Sequence, residues 1–113
     1  MRTTTETIHD HLGARLSAGA EADLHNYDAD IVMLTGSGIY RGHDGVKACA
    51  AELDRLLGTA VFVYRETLID GDYGFLEWTA EADGRRVLDG ADSFVVRDGR
   101  IVLQTIHYTV ISG

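Results

Sequence analysis

The sequence predicts an α+β fold: three helices of the N-terminal half packed on a strongly curved antiparallel sheet, in one domain over residues 1–113. Two observations carry this expectation. Up to Gly58 apolar residues recur at helical spacing, and beyond it strands and tight turns take over. Asp-Gly pairs at Asp70-Gly71, Asp83-Gly84 and Asp98-Gly99 separate β-type runs, and such pairs favour hairpins because both central residues of a type I′ turn need positive φ. Helices gathered on one side of a curved sheet leave a pocket between the layers.

The elements follow in order. Thr3 to Ala18 reads as a helix with Ile8, Leu12 and Leu16 on one stripe, Glu6 in capping-box range of Thr3, and Gly19 as its stop. Glu21 to Tyr27 reads as a short second helix. Ile31 to Thr35 is a β run closed by Gly36-Ser37-Gly38, and Ile39-Tyr40 extends it or starts another short strand. His43 to Leu57 is a third helix with Val46, Ala50, Leu53 and Leu57 on one face. Four strands follow at Ala60–Ile69, Tyr73–Glu81, Arg85–Arg97 and Arg100–Ile111. A fourth pair, Asp89-Gly90, lies inside a run and reads as a bulge.

Strand alternation then sorts the faces. Leu88, Gly90, Asp92, Phe94 and Val96 share one face of the third run, which sets the carboxylate of Asp92 among apolar neighbours. Such a carboxylate needs hydrogen-bond donors, or its pKa rises until it is neutral, and either state suits proton transfer. Trp78, the single tryptophan, points inward with Leu76 and Ala80, so its indole N–H can reach Asp92 on the neighbouring strand. The last run is apolar on both faces. Gln104 and Ile106 fall on its pocket face; Leu103, Thr105 and His107 fall on an outer face expected to be covered in a homodimer. His11, Met33, Tyr40 and Tyr64 complete the expected pocket around Asp92, Trp78, Gln104, Phe94 and Ile106. No second inward carboxylate is evident.

Composition excludes several classes. Ten Lys and Arg against eighteen Asp and Glu give a net charge of −8, which repels nucleic acid and anionic membranes. No stretch approaches the roughly 18 apolar residues of a membrane span. One cysteine, Cys49, allows no internal disulfide and no cysteine cluster, and the five histidines show no metal-ligand spacing, so neither metal nor cofactor is expected. The start, Met1 to Glu6, has no apolar core of a signal sequence, so a cytoplasmic protein is expected.

Four segments resemble the SnoaL-like branch of the nuclear transport factor 2-like superfamily: Leu16–Gly19, Tyr27–Thr35, Ile39–Val46 and, most strongly, Asp89–Ile101. That superfamily includes ketosteroid isomerases, polyketide cyclases, limonene epoxide hydrolase and scytalone dehydratase. The resemblance implies the cone-like fold and an acid/base role for Asp92, in its Asp-x-Phe setting. It places Met33 where the isomerases hold their general base, Leu12 near their oxyanion tyrosine, and Ile106 near the last-strand aspartate of the epoxide hydrolases. The implied function is an isomerase-, cyclase- or dehydratase-type enzyme that uses Asp92 for proton transfer on a small hydrophobic carbonyl compound. The alternative is a non-catalytic binding or dimerisation module of the same fold.

Overall fold

The protein is described by a computed structural model covering residues 2–17 and 19–112. The helices are α1 (Thr4–Ser17), α2 (Ala20–Asp23) and α3 (Gly42–Leu57); the strands are β1 (Tyr27–Thr35), β2 (Gly38–Arg41), β3 (Val61–Asp70), β4 (Tyr73–Ala82), β5 (Arg85–Arg97), β6 (Arg100–His107) and β7 (Ile111–Ser112). A single sheet runs in the order β2-β1-β6-β5-β4-β3, with β7 paired to β5. The expected meander is present as β3 to β6. The sheet is nonetheless mixed, because β1 joins β6 in parallel.

Local chemistry starts and stops α1 as expected. The Thr3 hydroxyl accepts from the Glu6 amide at 3.0 Å, and the Glu6 carboxylate accepts from the Thr3 amide at 2.8 Å, a reciprocal capping box. Gly19, at φ 83°, turns the chain out of the helix. The expected last helical residue, Ala18, lies outside the described residues. Ile8 is fully buried on the expected stripe, but Leu16, two turns further on, is 59% exposed. The second helix is shorter than expected. It ends at Asp23 and tightens into a 3-10 turn, Leu24–Asn26, before β1 begins at Tyr27. In α3, Val46 and Leu57 are buried and Ala50 and Leu53 half-buried, as the pattern required.

All three Asp-Gly pairs lie at hairpins, but only Asp98-Gly99 has both central φ values positive, at 53° and 73°. That hairpin also anchors α1, since the Gly99 carbonyl accepts from Arg2 Nη2 at 2.8 Å and from the Thr7 hydroxyl at 3.2 Å.

Bulges decide which side chains face the core. Trp78 pairs with Gly90 and Ala80 with Val87, so β5 carries one extra residue at Leu88-Asp89. This is the bulge that Asp89-Gly90 signalled. It corrects the face assignment before it: Val87 is buried and Leu88 is 63% exposed. A second extra residue, Val102, lies on β6, where Val95 pairs with Leu103 and Val96 with Ile101. Ile101 is therefore buried on the same side as Gln104, although strict alternation from Gln104 would turn it to the outer face. The last strand also stops early, at His107. Asp89 accepts from the Thr109 amide at 2.9 Å and the Thr109 hydroxyl at 2.8 Å, which bends residues 108–110 out of the ladder before β7 forms.

The core joins Ile8 of α1 and Val46 and Leu57 of α3 to Ile31, Leu76, Trp78, Phe94 and Ile101 of the sheet. Two glycines mark its closest approaches. A Cβ at Gly90 would lie 2.3 Å from the Trp78 ring, and one at Gly74 would lie 2.4 Å from Ile8 Cδ1. The indole is wedged and rigid, whereas the isoleucine methyl can rotate away. Gly90→Ala is expected to destabilise the fold by about 3 kcal/mol and Gly74→Ala by about 1 kcal/mol, within the overpacking range. Urea midpoints measure both, and equal losses would contradict this packing.

Candidate functional site

The sheet and helices enclose a cavity of about 60 Å³. Its walls come from one face of α1 (His11, Leu12, Arg15), one face of α3 (Val46, Cys49, Ala50, Leu53) and the inner face of the sheet (Phe62, Tyr64, Trp78, Ile106). Asp23, Tyr27, Asp92 and Gln104 also line it and bring further polar groups to its wall.

Asp92 sits at the centre of the sheet wall. Trp78 Nε1 donates to its Oδ1 and Gln104 Nε2 donates to its Oδ2, each at 3.0 Å. An indole N–H can only donate, so both contacts suit a carboxylate. Burial acts the other way. It lifts the Asp92 pKa above the ordinary 3.8, and the Trp78 bond, the charge of His11, the Gln104 bond and the charge of Arg15 offset that rise only in part. When Asp92 takes a proton, both protein neighbours are already donors to it, so neither accepts the new O–H, which is left to donate to an occupant of the cavity that Asp92 lines.

A second carboxylate, Asp23, is fully buried across the cavity. Its Oδ2 lies 2.6 Å from His11 Nδ1, and its Oδ1 accepts from Asn26 Nδ2 at 2.9 Å. A carboxylate at that distance fixes the proton on Nδ1. His11 Nε2 bonds no described residue and is the ring atom left for an occupant of the cavity. Phe94 and Tyr27 meet the His11 ring edge-on at 5.5 and 5.7 Å and hold its plane.

Tyr27 links the two centres. Its hydroxyl donates to Gln104 Oε1 at 2.8 Å and lies 3.4 Å from His11 Nδ1. Burial, reinforced by Asp23, holds its pKa well above 10.0, so the phenol keeps its proton and stays a donor. Tyr64 is pushed up to about 12 and the Cys49 thiol to about 11, both by burial, which leaves neither ionised near neutrality. No three His, Cys, Asp or Glu side chains converge to hold a metal among the described residues.

Of the nine expected pocket residues, seven line this cavity: Asp92, Trp78, Gln104, Tyr64, His11, Met33 and Ile106. Two do not. Phe94 is buried behind the His11 ring, and Tyr40 turns its hydroxyl to Ser37 Oγ at 3.0 Å. Asp23, Asn26, Tyr27 and Arg15 escaped the sequence reading. The first three occupy the 3-10 turn and its exits, where no periodicity assigns a face. Arg15 carried a signal, since it is four residues from His11 on one helix. The expectation of no second inward carboxylate is corrected by Asp23.

Residues 9–104 match the SnoaL-like domain family, and the chain belongs to that family. No curated protein sequence matches it. Among solved structures, it is similar to TerC co-crystallised with polyporic acid, at 20% identity, TM-score 0.77, and coverage of 94% of this chain and 91% of that one. It is also similar to a candidate polyketide cyclase from Sinorhizobium meliloti (18% identity, TM-score 0.71, coverage 89% and 93%). A protein with a ketosteroid isomerase-like fold from Catenulispora acidiphila DSM 44928, in complex with trimethylamine, gives 17% identity, TM-score 0.75 and coverage of 95% and 88%. At these identities the likeness is one of fold.

Two aspartates three residues apart are shifted in opposite directions. Asp89, held by the Thr109 amide and hydroxyl and by His107, lies below 3.8, whereas burial holds Asp92 above it. Asp89 thus favours the folded state above the ordinary carboxylate pKa, and this contribution is lost as pH falls through its lowered value. Asp92 favours the folded state in acid, and its contribution is lost as pH rises through its raised value. Carboxyl NMR is expected to show midpoints on opposite sides of 3.8. Matching midpoints would contradict the assignment.

Proposed function

We propose that this protein is an acid/base enzyme of the isomerase, cyclase or dehydratase type, acting without a cofactor on a small, mostly apolar carbonyl compound. The observation that carries the proposal is a pair of titratable centres, His11–Asp23 and Asp92, at one apolar cavity, joined through Tyr27 and Gln104. His11 Nε2, oriented by Asp23, removes a proton from the carbon next to the carbonyl. The electron pair moves to the carbonyl oxygen, and protonated Asp92 donates to that oxygen as charge develops. Return of the proton to a different carbon completes an isomerisation, and attack of the carbanion on a second carbonyl completes a cyclisation. Trp78 and Gln104 position Asp92; Phe62, Tyr64 and Ile106 supply the apolar walls.

One observation favours a second reading, a non-catalytic dimerisation module with a collapsed pocket. Ligand sites are usually about 300–1,000 Å³, and 60 Å³ admits only a few water-sized groups. A larger substrate requires α1 or α3 to move outward.

Homodimerisation through the outer sheet face is part of the proposal. Register aligns Tyr73, Val95, Leu103 and Val32 in one outward row, and Phe75, Ser93, Thr105 and Leu34 in the next. The first row meets charges only at its two ends, Asp70 of β3 and Arg41 of β2, and the second runs on to Leu68 and Ile39 with none; this uncharged centre supports cover by a second copy. His107, at the margin of this face, lies 3.3 Å from Asp89 Oδ2.

The enzyme reading is tested in D2O with a panel of small ketones, aldehydes and 2-oxo acids, following loss of the proton next to the carbonyl by NMR. The protein is expected to accelerate exchange for a subset, and His11→Gln and Asp92→Asn each to slow it by about 10²–10⁴-fold. Exchange unaffected by either substitution would contradict the roles assigned. Native mass spectrometry that finds a bound molecule, with no exchange catalysed, would establish a non-catalytic binding module instead.

A further inference from the structure

Arg15 lies one helical turn beyond His11 on α1, so both side chains leave the helix on one face and line the same cavity. A guanidinium stays charged at any pH the protein meets. Arg15 is half-buried at the cavity, and no ion pair or hydrogen bond among the described residues includes it. The two carboxylates of the cavity are already engaged: Asp23 with His11 and Asn26, Asp92 with Trp78 and Gln104. The field of Arg15 nonetheless reaches the cavity, since it favours the ionised forms of Asp92, Tyr27 and Tyr64.

We infer that the occupant of the cavity carries a carboxylate, which pairs with Arg15 at one end while its carbonyl lies toward Asp92 and His11. This rests on the proposed function and narrows it: the substrate class becomes small oxo acids rather than neutral ketones. The planar fork of an arginine matches a carboxylate with two parallel N–H···O bonds, so it fixes orientation as well as supplying attraction. The pairing is local, because a net charge of −8 repels an anion at long range. Binding should therefore strengthen as moderate salt screens that repulsion, and weaken only where salt competes at Arg15 itself.

The test measures binding alone, so its failure is separable from failure of proton transfer. Pyruvate and phenylglyoxylate are titrated beside their uncharged amides, with the indole N–H signal of Trp78, the single tryptophan, as the reporter. At least one acid is expected to bind ten-fold or more tightly than its amide. Arg15→Gln should erase that preference, and Arg15→Lys should retain part of it. An unchanged indole signal in the free variants checks that the cavity is intact. Equal binding of acid and amide would overturn the inference while leaving the roles of His11 and Asp92 standing. A preference that survives Arg15→Gln, or no binding by either acid, would overturn it as well.

Discussion

A carboxylate buried in an apolar layer must be solvated by the protein itself, and much of the inner architecture follows from doing this for Asp92. Its two oxygens take one donor each, from the strand on either side: Trp78 of β4 and Gln104 of β6. Both donors require the neighbouring strands to be in a definite register. A one-residue slip of either would carry Trp78 or Gln104 to the outer face and leave the charge unpaired, at a cost of several kcal/mol. The bulges on β5 and β6 set that register. Gly90, opposite Trp78, leaves the indole the space it needs to turn its N–H toward Asp92.

The same logic continues across the cavity. Gln104 presents its amide to Asp92 and so turns its oxygen to Tyr27; Tyr27 spends its proton there and approaches His11; His11 leans on Asp23, and Asp23 on Asn26. Asn26 also donates to Asp10 at 2.8 Å and accepts from Arg2 at 2.7 Å, which ties the chain to the surface of α1. Among the described residues every side-chain nitrogen or oxygen sealed from the cavity and from solvent has a partner, and His11 Nε2 is left open where it meets the cavity. A network satisfied everywhere else fixes side-chain orientation, and that is the condition for placing a proton donor and a proton acceptor at opposite ends of a small cavity.

Part of this was legible in the sequence and part was not, for physical reasons. Regular strands expose their faces by alternation, so Asp92, Trp78 and Gln104 could be brought together from spacing alone. The capping box at Thr3 and Glu6 and the hairpins at the Asp-Gly pairs were equally plain, because each rests on local chemistry. Alternation failed where bulges intervened, at Val87, Leu88 and Ile101, even though Asp89-Gly90 announced one of them. It offered nothing for Asp23, Asn26 and Tyr27, whose orientation comes from a 3-10 turn and from tertiary partners 12 to 77 positions away in sequence. The parallel pairing of β1 with β6 was hidden for the same reason, since it joins strands separated in the chain by α3 and most of the meander.

The central claim is that these side chains form one connected unit, and Tyr27→Phe tests it most directly. The substitution removes a single oxygen midway between the two titratable centres and leaves the ring in place. Followed by NMR across pH, it is expected to shift the Trp78 indole N–H signal and to move the Asp92 titration, although Tyr27 touches neither residue by hydrogen bond. If the indole signal and the Asp92 midpoint are both unchanged while the fold is intact, Asp92 and His11 are separate sites and the account is wrong.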